Sequence, residues 1–186
     1  LTIVFVSGSR RIHRLSLDVR HRLDQIIEKR LPVVIGDANG SDRAVQRYLN
    51  SRSYALVEIF CAGENPRNNV GDWPLRKVQP PHNTRDFDYY ASKDRQMARE
   101  ATVGFLIWDG ESQGTLMNVL RLVALHKIAV VYVGPQRAFS EIRTRGDFDK
   151  LASDLNHAAA RRLHDQAIRE GLFERDEEQA PTWIAL

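Results

Sequence analysis

Three glycine-bearing turns stand where apolar strands run into helices: Ser7-Gly8-Ser9-Arg10, Gly36-Asp37-Ala38-Asn39-Gly40-Ser41-Asp42 and Asp109-Gly110-Glu111-Ser112-Gln113-Gly114-Thr115. In an open parallel sheet, the carboxyl ends of the strands and the amino ends of the following helices meet along one edge. Backbone N–H groups and helix dipoles there favour an anion. The three turns therefore predict one shared pocket for phosphate and sugar.

The segments around the turns supply the sheet. Leu1 to Val6, Pro32 to Ile35, Ala55 to Phe60, Val103 to Trp108 and Ala129 to Val133 read as short, buried strands. Ser16 to Lys29 spaces Leu17, Val19, Leu23, Ile26 and Ile27 for a helix capped by Ser16; further helices are predicted over Arg43 to Asn50, Tyr90 to Glu100 and Thr115 to His126. This order predicts an α/β doubly wound, mostly parallel sheet with helices on both faces. Cys61 to Arg85 carries four prolines and reads as a long irregular loop, with Trp73 hinting at order. Residues 1–134 form the predicted sheet domain. Residues 135–186 form a C-terminal appendage with one charged helix from Phe148 to Glu170 and an acidic tail from Phe173.

Composition excludes several classes. A net charge of +3 in 186 residues is too small to argue for nucleic acid, and no Lys/Arg stripe interleaved with aromatics supports such a partner. One cysteine, Cys61, leaves neither a disulfide framework nor a zinc cluster, and no apolar run reaches membrane-spanning length. A cytoplasmic protein without a membrane association is expected. His157 and His164 lack further ligands at metal spacing, so no metal is expected, and no cofactor motif is present. On the helix after the third turn, Leu116, Val119, Leu120, Val123 and Ala124 form a core stripe. Met117, Leu122 and Leu125 leave apolar surface that a homodimer, neighbouring helices or the appendage can cover.

The turn residues carry the chemistry. Gly110 and Gly114 either remove side chains that would hold a ligand off the backbone or merely permit a tight strand-to-helix turn, while Ser112 and Thr115 offer hydroxyls to phosphate oxygens, Gly8 and Ser9 offer backbone donors, and Gly36 ends its strand beside the pocket. Thr115 can equally cap its helix. Arg10 suits planar anion recognition or is a solvated charge, and Asp37 can accept from ribose hydroxyls or shape its turn. Asp42 is read as a helix cap. Lys93 either neutralises a phosphate or is a surface charge.

The string Lys93-Asp94-Arg95-Gln96-Met97 followed by Ile107-Trp108-Asp109-Gly110-Glu111-Ser112-Gln113-Gly114-Thr115, with the two earlier turns ahead of it, resembles the SLOG superfamily. That group includes the Lonely guy phosphoribohydrolases and the DNA-processing protein A family. The resemblance covers about residues 2 to 134 and implies a Rossmann-like sheet that binds a nucleotide or nucleotide-derived ligand. The phosphoribohydrolase branch cleaves N-glycosidic bonds with an arginine, a glutamate and a Gly-Gly-x-Gly-Thr phosphate loop. Here Lys93 stands at the arginine position, Asn118 at the glutamate position, and Asp109 replaces the first loop glycine. An amide cannot supply the charge of a carboxylate to an oxocarbenium-like transition state. The expectation is therefore a module that binds or senses a nucleotide-derived ligand, phosphoribosyl or ADP-ribosyl. The alternative is an N-glycosidase or deoxyribosyltransferase-like enzyme acting through Lys93, Asn118 and a substituted carboxylate such as Asp109, Glu111 or Asp37.

Overall fold

The computed structural model describes residues 1–173. In chain order its elements are β1 (Val4–Gly8), α1 (Leu17–Glu28), β2 (Val33–Gly36), α2 (Ser41–Ser51), β3 (Val57–Ala62), β4 (Leu75–Val78), α3 (Phe87–Glu100), β5 (Val103–Trp108), α4 (Gln113–Ala124), β6 (Ile128–Val133), β7 (Ala138–Ile142), α5 (Arg145–Ala152) and α6 (His157–Arg169). The strands form one sheet in the order β4-β3-β2-β1-β5-β6-β7, and every pairing is parallel except that of β7 with β6. The fold is α/β and Rossmann-like. The sheet grows outward from β1 in one direction through β2 and in the other through β5, so the topological switch point lies between β1 and β5.

Alternation along the strands builds a core on each face. Val4, Val6, Phe105 and Ile107 join Val19, Leu23, Val45 and Leu49 beneath α1 and α2. Phe5, Leu106 and Trp108 face the opposite way, into a core with Met97, Leu116 and Met117. Helix starts are fixed by side chains: Ser16 accepts from Val19 N at 3.3 Å, and Asp86 from Tyr89 N at 3.0 Å.

Three features depart from the sequence reading. The irregular stretch contains β4, whose Leu-Arg-Lys-Val sequence is polar because it lies at the sheet edge. Beside it Trp73 is buried, its Nε1 donating to Tyr54 O at 2.8 Å while the Asn69 side chain bonds both its backbone N and O. At the other edge β7 adds a strand beyond residue 134, folded back onto β6 as a hairpin. The single helix expected over Phe148 to Glu170 is two, because Asn156 starts α6 by accepting from Ala159 N at 2.9 Å.

α5 and α6 pack on α4, as does α3. Phe148, Ala160 and Leu163 thereby reach the core that holds Met117 and Leu122, both fully buried within this one chain. Of the apolar surface that motivated a homodimer, Leu125 alone is exposed. The acidic tail expected after Phe173 lies outside the described residues. No helix among them is long and apolar enough to cross a membrane.

Candidate ligand-binding cleft

The three turns are bonded to one another. Ser9 N donates to Ile107 O at 2.9 Å, Ser41 N donates to Ser9 O at 3.0 Å, and Ser9 Oγ donates to Asp109 Oδ2 at 2.5 Å. The first turn is thus the hub between the second and third. Two glycines permit this approach. A Cβ on Gly8 would stand 2.5 Å from Ile107 O, and one on Gly40 would stand 2.3 Å from Arg10 O, with Gly40 already at a φ of +82°. A cleft of about 610 Å³ opens above them at the switch point, the size of a small-molecule site.

Gly8, Ser9, Arg10, Asp109, Ser112, Gly114 and Thr115 line this cleft, as do Lys93 from α3 and Asn118 from α4. Gly36, Asp37 and Gly110 do not. Gly110 has a φ of +88° and faces Pro135, 2.8 Å from where its Cβ would stand, so it serves the turn itself. Gly36 makes room for charge: a Cβ there would lie 2.5 Å from Asp42 Oδ2 and 2.6 Å from Lys93 Nζ. Asp37 points into an adjoining cavity, where Arg67 holds it through Nη2 to Oδ1 at 2.6 Å and Nε to Oδ2 at 3.1 Å. Burial opposes its ionisation, but Arg67 and Lys93 overcome this and keep the carboxyl below the usual range.

The candidate catalytic residues are each engaged. Asp109 accepts from Ser9 Oγ, Glu111 N and Ser112 N; although burial works against its charge, these bonds hold its pKa down. It braces the turn as a fixed anion. Lys93 is buried with Nζ 2.5 Å from Asp94 Oδ1, and Asp94, Asp42 and Asp37 outweigh its desolvation and keep it an ammonium. Ser112, not Thr115, caps α4, its Oγ accepting from Thr115 N at 3.4 Å and from Thr115 Oγ1 at 3.0 Å.

Asn118 Nδ2 donates to Ser7 Oγ at 3.0 Å, and its Oδ1 accepts from Arg121. Arg121 is gripped in turn by Glu170, at 2.9 Å from Nε and 2.6 Å from Nη2. Burial raises the Glu170 pKa less than Arg121 and Arg95 lower it, so this carboxylate stays charged. The end of α6 is thereby tied to the floor of the cleft.

Asp42 is more than a cap. The residue preceding α2 is Gly40, which offers no side-chain bond, while Asp42 Oδ2 accepts from Ala38 N at 3.2 Å within the cleft wall. Asp42 Oδ1 and the neighbouring Ser41 Oγ have no partner among the described residues. Burial pushes the Asp42 carboxyl up to about 7 despite Lys93 nearby.

Sequence reasoning missed Arg85 and Tyr90, which line both the cleft and the adjoining cavity. The start of α3 at Phe87, after Asp86, was the available signal for their placement. Arg10 and Arg85 form no ion pair among the described residues, whereas Glu111 is paired with Arg11. Arg10 lies over the Tyr90 ring at 5.6 Å. The cleft thus presents two guanidiniums without an ion pair among the described residues, beside carboxylates that are mostly engaged.

No protein-family model, curated protein or solved structure matches the chain.

Proposed function

We propose that the cleft binds a nucleotide or nucleotide-derived ligand, with a phosphate over the Ser112–Thr115 start of α4 and beside Arg10. The observation that carries this reading is the bonded convergence of three turns on one cleft, with Arg10 and Arg85 lining it and forming no ion pair among the described residues. A helix start supplies oriented N–H groups and a positive dipole end, and a guanidinium supplies a planar fork for phosphate oxygens. The resemblance of the turn sequences to those of the SLOG superfamily supports the same reading. The test is a thermal-shift panel of mononucleotides, dinucleotides and ADP-ribose derivatives. A ligand at 100 times its Kd adds about 2.7 kcal/mol, or roughly 5–10 °C in Tm for a domain of this size. Flat responses across the panel overturn the reading.

One observation favours a second reading, hydrolysis of the N-glycosidic bond of a nucleoside monophosphate. Asp42 is a cleft-wall carboxyl near neutral pKa beside a buried ammonium, the poise that a general acid or base needs. In this reading it takes the place that Asp109 and Glu111 cannot fill, since both are engaged. Incubation with nucleoside monophosphates should then release free base and ribose 5-phosphate, and Asp42→Asn should abolish the release. Absence of turnover leaves the binding module.

A further inference from the structure

The cleft wall that α3 supplies changes in character along the helix. Phe87, Tyr90 and Ala91, at i, i+3 and i+4, share one face at its start, and the buried Lys93 with Asp94 follows. Ala38 aside, the other residues that line the cleft are polar or glycine. The start of α3 is therefore the apolar end of a polar cleft.

This end is held in place. Asp86 caps the helix by accepting from Tyr89 N at 3.0 Å, and the Tyr89 hydroxyl donates to Ala62 O at 3.2 Å, at the end of β3. The two rings that line the cleft there are differently occupied. The Arg67 guanidinium lies over Tyr90 at 4.4 Å and that of Arg10 at 5.6 Å. Phe87 is 43% exposed, and its ring has neither an aromatic partner nor a cation over it among the described residues. Of the large apolar side chains that the fold leaves exposed among those residues, it is the one that lines the cleft.

An open aromatic ring inside a polar cleft suits a flat, unsaturated guest. Stacking reads the face of a base and tolerates any edge, because every base has a π-face. Asp86, the acid that lines the cleft beside Phe87, is engaged as the cap and lies 3.6 Å from His82 Nε2, and Arg85 can only donate. The wall thus offers a base a surface to lie on.

We infer that Phe87 receives the base of the ligand by ring stacking, so that the cleft ranks nucleotides by the area of their base and not by its hydrogen-bonding edge. The inference rests on the nucleotide reading of the cleft and deepens it, from a class of ligand to the residue that discriminates within the class.

Isothermal titration of the full chain with AMP, UMP and ribose 5-phosphate tests it, since the three share a phosphorylated ribose and differ in carrying a purine, a pyrimidine or no base. AMP should bind at least about tenfold more tightly than ribose 5-phosphate, with UMP between them. Phe87→Ala should bring AMP and UMP down to the level of ribose 5-phosphate, and Phe87→Tyr, which keeps the ring, should keep the order. Ribose 5-phosphate should bind alike throughout, which separates lost stacking from a disturbed helix start. Equal affinities for AMP and ribose 5-phosphate in the unaltered protein overturn the stacking role and leave the ligand-binding reading of the cleft standing. So do UMP binding more tightly than AMP, an AMP preference that survives Phe87→Ala, loss of the order in Phe87→Tyr, or a fall in ribose 5-phosphate affinity in either variant. Failure of all three probes to bind overturns both together.

Discussion

Asp37 and Asp42 stand on the same turn, both almost completely buried, yet their carboxyls shift in opposite directions. Asp37 meets a guanidinium head-on with both oxygens. Asp42 has one backbone donor, a lysine that is bonded to another carboxylate, and an oxygen without a partner among the described residues. Burial alone penalises charge in both; the geometry of the nearest cation decides which one keeps it. One carboxylate is thereby fixed as an anion in the second cavity, and the other is left poised near neutrality in the main cleft.

The sharpest way to break this contrast is to remove the cation. Arg67→Ala strands the Asp37 charge, and since the arginine is partly exposed the loss should be about 3 kcal/mol, at the low end for a buried pair. Urea unfolding measures it, and adding Asp37→Asn should recover part of the loss. A cost below about 1 kcal/mol would mean that Asp37 is solvated.

The pH dependence should separate the two residues next. Asp42 has a folded pKa near 7, above its unfolded value of about 3.9. The folded state therefore binds the extra proton, and this residue's contribution falls as pH rises from about 4 to 7, then levels off. Between pH 5 and 8 the loss is on the order of 2 kcal/mol. Asp42→Asn should remove that slope in urea titrations. Asp37 has a lowered folded pKa, so its contribution is present above the unfolded value and is lost as pH falls through the folded one, below about 4. An Asp42→Asn protein with the wild-type slope would contradict the assignment.

Smaller effects should follow at the turns. Ser9→Ala removes the donor to Asp109 and should cost about 1.5 kcal/mol, because the acceptor is charged. Gly114→Ala should change stability by less than about 0.5 kcal/mol, since nothing stands within 4 Å of the added carbon. The same substitution should weaken AMP binding in the titration, because that carbon would occupy the cleft. Unchanged affinity would move the phosphate away from the start of α4.

How much of this was readable follows from where each element lies. The central strands are buried on both faces, so they appear in sequence as unbroken apolar runs such as Val4-Phe5-Val6 and Phe105-Leu106-Ile107. The edge strands β4 and β7 are half polar and resemble loops, which is why the long irregular stretch hid one and the supposed appendage the other. The meeting of the turns was legible from glycines at strand ends. The partners of their side chains were not. Arg67 reaches Asp37 from a proline-containing loop, and Asp42 carries the sequence mark of a cap while the cap position belongs to Gly40. Spacing along a chain encodes which groups are near a turn but not which of them meet across it.

A primary amide carries a donor and an acceptor that a half-turn of its plane would exchange. Arg121 can only donate, so it draws the oxygen of Asn118 to itself and leaves the NH₂ facing Ser7, and Glu170 at the end of α6 keeps Arg121 in place. The polarity presented at the base of the cleft is therefore set from the far end of the fold. Detaching the final helix would release that choice and let the amide present its oxygen to the cleft instead.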